Sequence, residues 1–82
     1  MNKPVLTVLF RDYCSLCHAM VAALDAYPAR ARFDLKIVDV DADAALEDKW
    51  GDWVPVLLAG DIEICHYHFD PAALDAHLAA FG

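Results

Sequence analysis

The sequence predicts an α/β domain with the element order β-α-β-α-β-β-α and a mixed sheet, and three observations carry that expectation. Residues Val5-Leu-Thr-Val-Leu-Phe10 are apolar or β-branched without polar alternation, as in a strand buried on both faces. A segment with helical spacing and a second apolar run follow within the opening forty residues. Together they spell a βαβ unit, whose two strands are parallel. Further on, Gly60-Asp61 separates two more apolar runs in the manner of a two-residue hairpin, which makes that pair antiparallel.

Each element has its own local reason. From Ser15 to Tyr27, the residues Leu16, Met20, Ala23, Leu24 and Tyr27 recur at helical spacing. Pro28 closes this helix, because the residue before a proline is steered out of the α region. Phe33 to Val40 is the second strand. Asp41 is expected to cap a short helix across Ala42 to Trp50, with Leu46 and Trp50 one turn apart and Gly51 at its end. The third strand is Val54 to Ala59 and the fourth Ile62 to Phe69. Strict alternation puts Ile62, Ile64, His66 and His68 on one face of the fourth strand and Glu63, Cys65, Tyr67 and Phe69 on the other. Asp70 and Pro71 supply the cap and first turn of a last helix, whose Leu74, Leu78 and Phe81 form a stripe ending at Gly82. No repeat, low-complexity tract or linker interrupts the 82 residues, so a single domain spanning 1–82 is expected.

Composition narrows the classes of function. Six Lys and Arg against thirteen Asp and Glu give a formal charge of −7, which opposes binding to a nucleic-acid backbone or an anionic membrane. Of the 60% apolar residues 15 are Ala, leaving 34 larger ones, enough for a small core. No uncharged run reaches the ~18–20 residues of a membrane span, and Met1 to Phe10 lacks the h-region and cleavage site of a secretory signal. A soluble, cytoplasmic monomer is the expectation. Three Cys is an odd number, which disfavours a secreted disulfide framework and points to thiol chemistry or metal binding. The charge is also uneven along the chain. Residues 1–33 carry four cations against two acids, and the remainder two Lys against eleven acids. In sequence, the neighbourhood of the first two cysteines is mildly cationic.

Those two cysteines carry the chemistry. Cys14-Ser-Leu-Cys17 lies between the first strand and the first helix, so both thiols fall in the first turn. A helix N-terminus presents unpaired N–H groups and roughly half a positive charge, which favours a thiolate. Cys14 is the outer position and the expected nucleophile. Cys17, one turn further in, is the expected resolving thiol. Arg11 adds positive charge beside Cys14, and Asp12 opposes it.

Strand, Cys14-x-x-Cys17, helix, second strand and then Val54-Pro55-Val56 opening a hairpin resembles the thioredoxin superfamily, in particular its short glutaredoxin-like branch. Val38-Asp-Val-Asp41, Gly51 and Val54-Pro-Val-Leu57 are similar to bacterial glutaredoxin-like proteins of uncharacterised function. The resemblance covers nearly the whole chain. It implies a thioredoxin-like sheet of order 2-1-3-4 with helices on both faces, and thiol-disulfide oxidoreductase activity. It implies a cis Val54-Pro55 bond beside the dithiol, leaving the Val54 backbone free to pair with an extended substrate. Arg11, Tyr13 and Trp53 then shape the rim, with Arg11 placed to pair with a glycyl carboxylate. No organic cofactor is required. The expected partners are a thiol or disulfide protein or a small thiol, with glutathione a candidate co-substrate. The chain departs from the pattern in three places. Trp53 stands where glutaredoxins carry Thr, Gly60-Asp61-Ile62-Glu63 where they carry Gly-Gly-x-Asp, and Val8 where thioredoxins hold a buried acid.

Other readings use the same residues. Cys14-Ser-Leu-Cys17-His18 satisfies the haem c attachment pattern, but four predicted strands suit that group poorly. Cys14, Cys17, Cys65 and either His66 or His68 have the chemistry of a zinc site. Alternation along a strand separates Cys65 from His66, and no metal site is expected. A redox-inactive binding module that keeps the groove is the remaining alternative.

Overall fold

The structure, a computed structural model, describes residues 3–81 without the side chain of Phe81. Strand β1 (Val5–Phe10) pairs in parallel with β2 (Asp34–Asp39) and antiparallel with β3 (Val56–Ala59), and β3 pairs antiparallel with β4 (Ile62–His66). The sheet order is β2-β1-β3-β4, as expected. Helix α1 (Ser15–Asp25) follows β1, α2 (Ala44–Trp50) precedes β3, and α3 (Pro71–Phe81) closes the chain. Gly60 opens the two-residue β3–β4 loop at φ 61, a conformation that costs a glycine nothing.

Alternation along β1 divides the core in two. Leu6 and Val8 face Met20 and Leu24 of α1, Leu74 and Leu78 of α3, and Phe33 and Leu57. Leu9 faces the other way, into a cluster with Val40, Val56 and Leu58 backed by the half-buried Leu46 and Trp50 of α2. Helices therefore cover both faces. A strand with one paired neighbour on each edge and a core on each face has no polar side to show, which explains its unbroken apolar sequence.

Several local expectations need correction. Helix α1 stops at Asp25, two residues short of Tyr27, and its buried positions are Cys17, Met20 and Leu24, while Leu16 is exposed. The expected stripe was thus offset by one position at its first turn. Tyr27 still packs against the core from outside the helix. The cap of α2 is Asp43, not Asp41: its Oδ1 accepts from the N–H groups of Ala45 and Leu46 at 3.0 and 3.2 Å. Asp39 makes an earlier cap, accepting from the Asp41 N–H at 2.9 Å, and the intervening 3-10 turn Val40–Ala42 buries Val40. Three aspartates spaced two apart can each cap a helix, and burial of Val40 decides between them. Strand β3 begins at Val56, after the Val54–Pro55 bond. Strand β4 ends at His66 instead of Phe69. An irregularity in the β3–β4 register pairs Leu57 with Cys65 but Leu58 with Glu63, leaving Ile64 as an extra residue. The alternation expected for this strand therefore fails, and Glu63 and His66 share a side, with Nδ1 and Oε2 3.3 Å apart. Asp70 caps α3, accepting from the Ala73 N–H at 3.1 Å. Gly82 and the Phe81 side chain, expected to end the stripe of α3, lie outside the described residues.

Phe33, immediately before β2, is among the largest fully buried side chains. Phe33→Ala is expected to destabilise the fold by about 3–5 kcal/mol, a large share of the total stability of a small domain. Urea unfolding followed by tryptophan fluorescence reads this directly.

Candidate active site

Where β1 ends, the chain turns tightly, and the Cys14 N–H donates to the Arg11 carbonyl at 3.1 Å. Cys14 is extended (φ −100, ψ 112) and is the N-cap of α1. Its Sγ accepts from the Cys17 N–H at 3.2 Å, and its carbonyl accepts from the His18 N–H at 3.2 Å. A thiol is a poor cap, because neutral sulfur is a weak acceptor. Negative charge on Sγ turns the same contact into a charge-assisted bond at the positive end of the helix. The two thiols are unequal. Cys14 is half-buried and Cys17 is fully buried. Burial first, then the hydrogen bond and charge of Cys14, push the Cys17 thiol up to about 12, against the opposing pull of a backbone hydrogen bond at Arg11 and of the Arg11 guanidinium.

The second active-site element packs against the first. Cys14 lies against the same buried cluster that holds Cys17, Val54 and Val56. The Val54–Pro55 peptide is cis, and Val54 is extended (φ −64, ψ 144) at the end of a 3-10 turn, Gly51–Trp53. Tyr13 is 78% exposed and Trp53 47% exposed. The structure adds a residue that the sequence placed inside a strand. Tyr67 follows β4 at φ 62, donates its N–H to the Pro55 carbonyl at 2.8 Å and its hydroxyl to the Asp52 carbonyl at 3.0 Å. Its ring stacks on Trp53, with centroids 6.0 Å apart and planes 26° from parallel, and His66 meets both rings edge-on. Nothing in the local sequence signals a left-handed tyrosine. The one available cue was an aromatic beside histidines at the end of an apolar run.

Arg11 has a different environment from the one its sequence position suggests. Its Nε donates to Asp41 Oδ1 at 3.1 Å, its Nη2 to Glu47 Oε2, and its Nη1 to the Gly51 carbonyl at 3.5 Å. Asp41 and Glu47 together raise its pKa against the effect of desolvation. The side chain is 17% exposed, with Cζ 5.6 Å from the Tyr13 ring centroid. Its charge is therefore matched twice over inside the molecule. Cys65 belongs to the opposite core cluster, where burial raises its thiol pKa. Among the described residues, no group of three or more His, Cys, Asp or Glu is placed to hold a metal ion, and none of the helices is long and apolar enough to cross a membrane.

A cysteine pair at the start of the first helix, a β2-β1-β3-β4 sheet and a proline-opened hairpin define a domain of thioredoxin-like fold. Residues 5–79 match the glutaredoxin-like domain family (DUF836), and the chain belongs to that family. It is similar to the solution structure of protein Ne2328 from Nitrosomonas europaea, with a TM-score of 0.81 and 33% identity, over 94% of this chain and 93% of that one. The X-ray structure of protein XcR50 from X. campestris gives a TM-score of 0.69 at 39% identity, over 92% and 96% of the two chains. The uncharacterised protein Rv0508 of Mycobacterium tuberculosis is 29% identical over 84 residues, covering 96% of this chain and 87% of its own.

The Cys17 environment sets a pH dependence. The folded chain holds this proton up to about 12, against an ordinary value of 9.0, so the unfolded chain ionises first as pH rises. Stability is complete below the unfolded value and is lost progressively between that value and the folded one. Cys65, raised by burial, and Tyr27, raised by its hydrogen bond to Asp75, act in the same sense. The Tm of the reduced protein is expected to fall as pH rises from about 8 to about 10.5, and to fall less in Cys17→Ala.

Proposed function

We propose that this domain is a glutaredoxin-like thiol-disulfide oxidoreductase in which Cys14 is the nucleophile and Cys17 resolves. The observation that carries the reading is the asymmetry of the pair. Cys14 Sγ caps α1 through the Cys17 N–H and stays half-open to water, while the Cys17 thiol is buried and holds its proton. Only the first is open to an incoming disulfide. Membership of the glutaredoxin-like family supports the same assignment.

The exchange balances without a cofactor. Cys14 Sγ attacks one sulfur of the substrate disulfide, an S–S bond forms between them, and the other sulfur leaves as a thiolate that takes a proton from solvent. Cys17 then gives up its proton and attacks the Cys14 sulfur of the mixed disulfide, and the second substrate thiol departs. Two electrons pass from the dithiol to the substrate, leaving a Cys14–Cys17 disulfide. Once Cys14 is in the mixed disulfide it bears no thiol proton and no charge, so neither its hydrogen bond nor its charge any longer holds the proton on Cys17. Cys17 therefore becomes easier to ionise when its turn comes. Val54, extended beside the pair, offers its backbone to the substrate, and Tyr13 and Trp53 form the rim. The oxidised pair is restored by a dithiol protein or by a small thiol such as glutathione.

Brief treatment of the native reduced protein with iodoacetamide near neutral pH is expected to modify Cys14 well before Cys17, as read by peptide mass. Cys14→Ser should abolish disulfide reduction, and Cys17→Ser should accumulate a mixed disulfide at Cys14. Unchanged reduction by Cys14→Ser would overturn Cys14 as the nucleophile, and no reduction by the unsubstituted protein would leave the redox-inactive binding module as the better reading.

A further inference from the structure

The rim of the dithiol has a composition and a charge that narrow its substrate. Trp53 and Tyr67 form an exposed stacked pair, 47% and 36% open. Tyr67 is held in the left-handed region, which L side chains other than Asn and Asp seldom adopt, by hydrogen bonds to Pro55 and Asp52. Strain of this kind persists where surrounding contacts over-determine it, and it concentrates at functional surfaces. On its other side Tyr67 lines a groove of about 250 Å³ against Leu16 and Ala19 of α1, the helix that begins at Cys14. One aromatic ring thus joins the proline segment to the dithiol helix. The rim therefore touches both the helix that carries the cysteines and the segment that carries the cis proline.

Charge points the same way. Among the described residues, the acids that the structure fixes on groups around the rim, Asp41, Glu47 and Glu63, outnumber its one permanently charged cation there, Arg11. Arg11 is occupied by Asp41 and Glu47, His66 is paired with Glu63, and Lys49 lies over Trp50. An anionic small disulfide would meet matched cations and surplus carboxylates. A basic side chain would meet aromatic faces that attract cations and an anionic surround.

We infer that the substrate is a polypeptide disulfide whose flanking segment lays a Lys or Arg side chain across the Trp53–Tyr67 pair, in preference to a small anionic disulfide. The inference rests on the oxidoreductase reading above and specifies its substrate.

The test uses the reduced full-length chain in single-turnover exchange, so that its own dithiol supplies the electrons. Four probes are compared: uncharged bis(2-hydroxyethyl) disulfide, glutathione disulfide, and two symmetric peptide disulfides of equal length flanked by Lys or by Glu. The Lys peptide should react at least tenfold faster than the Glu peptide at low salt, and faster than glutathione disulfide. That ratio should shrink severalfold at high salt. Tyr67→Gly, which suits the observed φ, and Trp53→Ala should each lower the Lys-to-Glu ratio at least threefold, while Tyr67→Phe retains it. Equal rates for the two peptides, glutathione disulfide as the fastest probe, or a ratio unchanged in both Tyr67→Gly and Trp53→Ala would overturn the inference while leaving the oxidoreductase reading intact. No reaction with any probe, the uncharged one included, would defeat that reading and the inference with it.

Discussion

The hydrogen bond from the Cys17 N–H to Cys14 Sγ caps α1 with a thiol, and the arrangement of the cysteine pair depends on it. A helix start leaves N–H groups without partners, and here one of them is met by the sulfur of Cys14, the proposed nucleophile. A helix N-terminus favours negative charge on a group that caps it. That contact exists because β1 delivers the chain to the right place. Leu6 and Val8 are locked into one core cluster and Leu9 into the other, which fixes where Phe10 ends and where the turn to Cys14 begins. The same first turn buries Cys17 and leaves Cys14 at the surface. Two chemically identical side chains acquire different environments from a separation of three residues.

Electrostatics around the pair shows how far position in sequence and position in space can diverge. The amino-terminal segment is cationic when counted along the chain. Folding brings Asp41 and Glu47 of the acidic half onto Arg11. The two carboxylates stay half open to water, which screens the pairing, so its main consequence is not stability. The pairing occupies the guanidinium and anchors α2 and its acids beside the site. The charge that a ligand meets is therefore set by the second half of the chain, although the cysteines belong to the first.

Much of the fold was legible because its signals are local. The unbroken apolar run of β1, the Gly60-Asp61 turn and the Asp70-Pro71 helix start each state their structure within a few residues, and the structure contains all three. The parts that were misread depend on competition. Asp39, Asp41 and Asp43 have equal capping chemistry, and only the burial of Val40 selects Asp39 and Asp43 and releases Asp41 to Arg11. Leu16 and Cys17 are both apolar enough to begin the buried stripe of α1, and the sheet accepts Cys17. The register irregularity at Ile64 reverses the alternation expected for β4 and ends the strand at His66. A period-two reading has no means of foreseeing an inserted residue.

The sequence by itself determined the element order, the position of the cysteine pair at the start of a helix and the hairpin that follows the proline. These rest on backbone preferences and hydrophobic periodicity, which act over a few residues. Tertiary structure alone decided that Tyr67 turns left-handed to stack on Trp53 and that Arg11 spends its charge on Asp41 and Glu47. It also decided that Cys17 keeps its proton while Cys14 faces the solvent. Each of these results from packing between segments distant in the chain, where burial and charge depend on every neighbour at once.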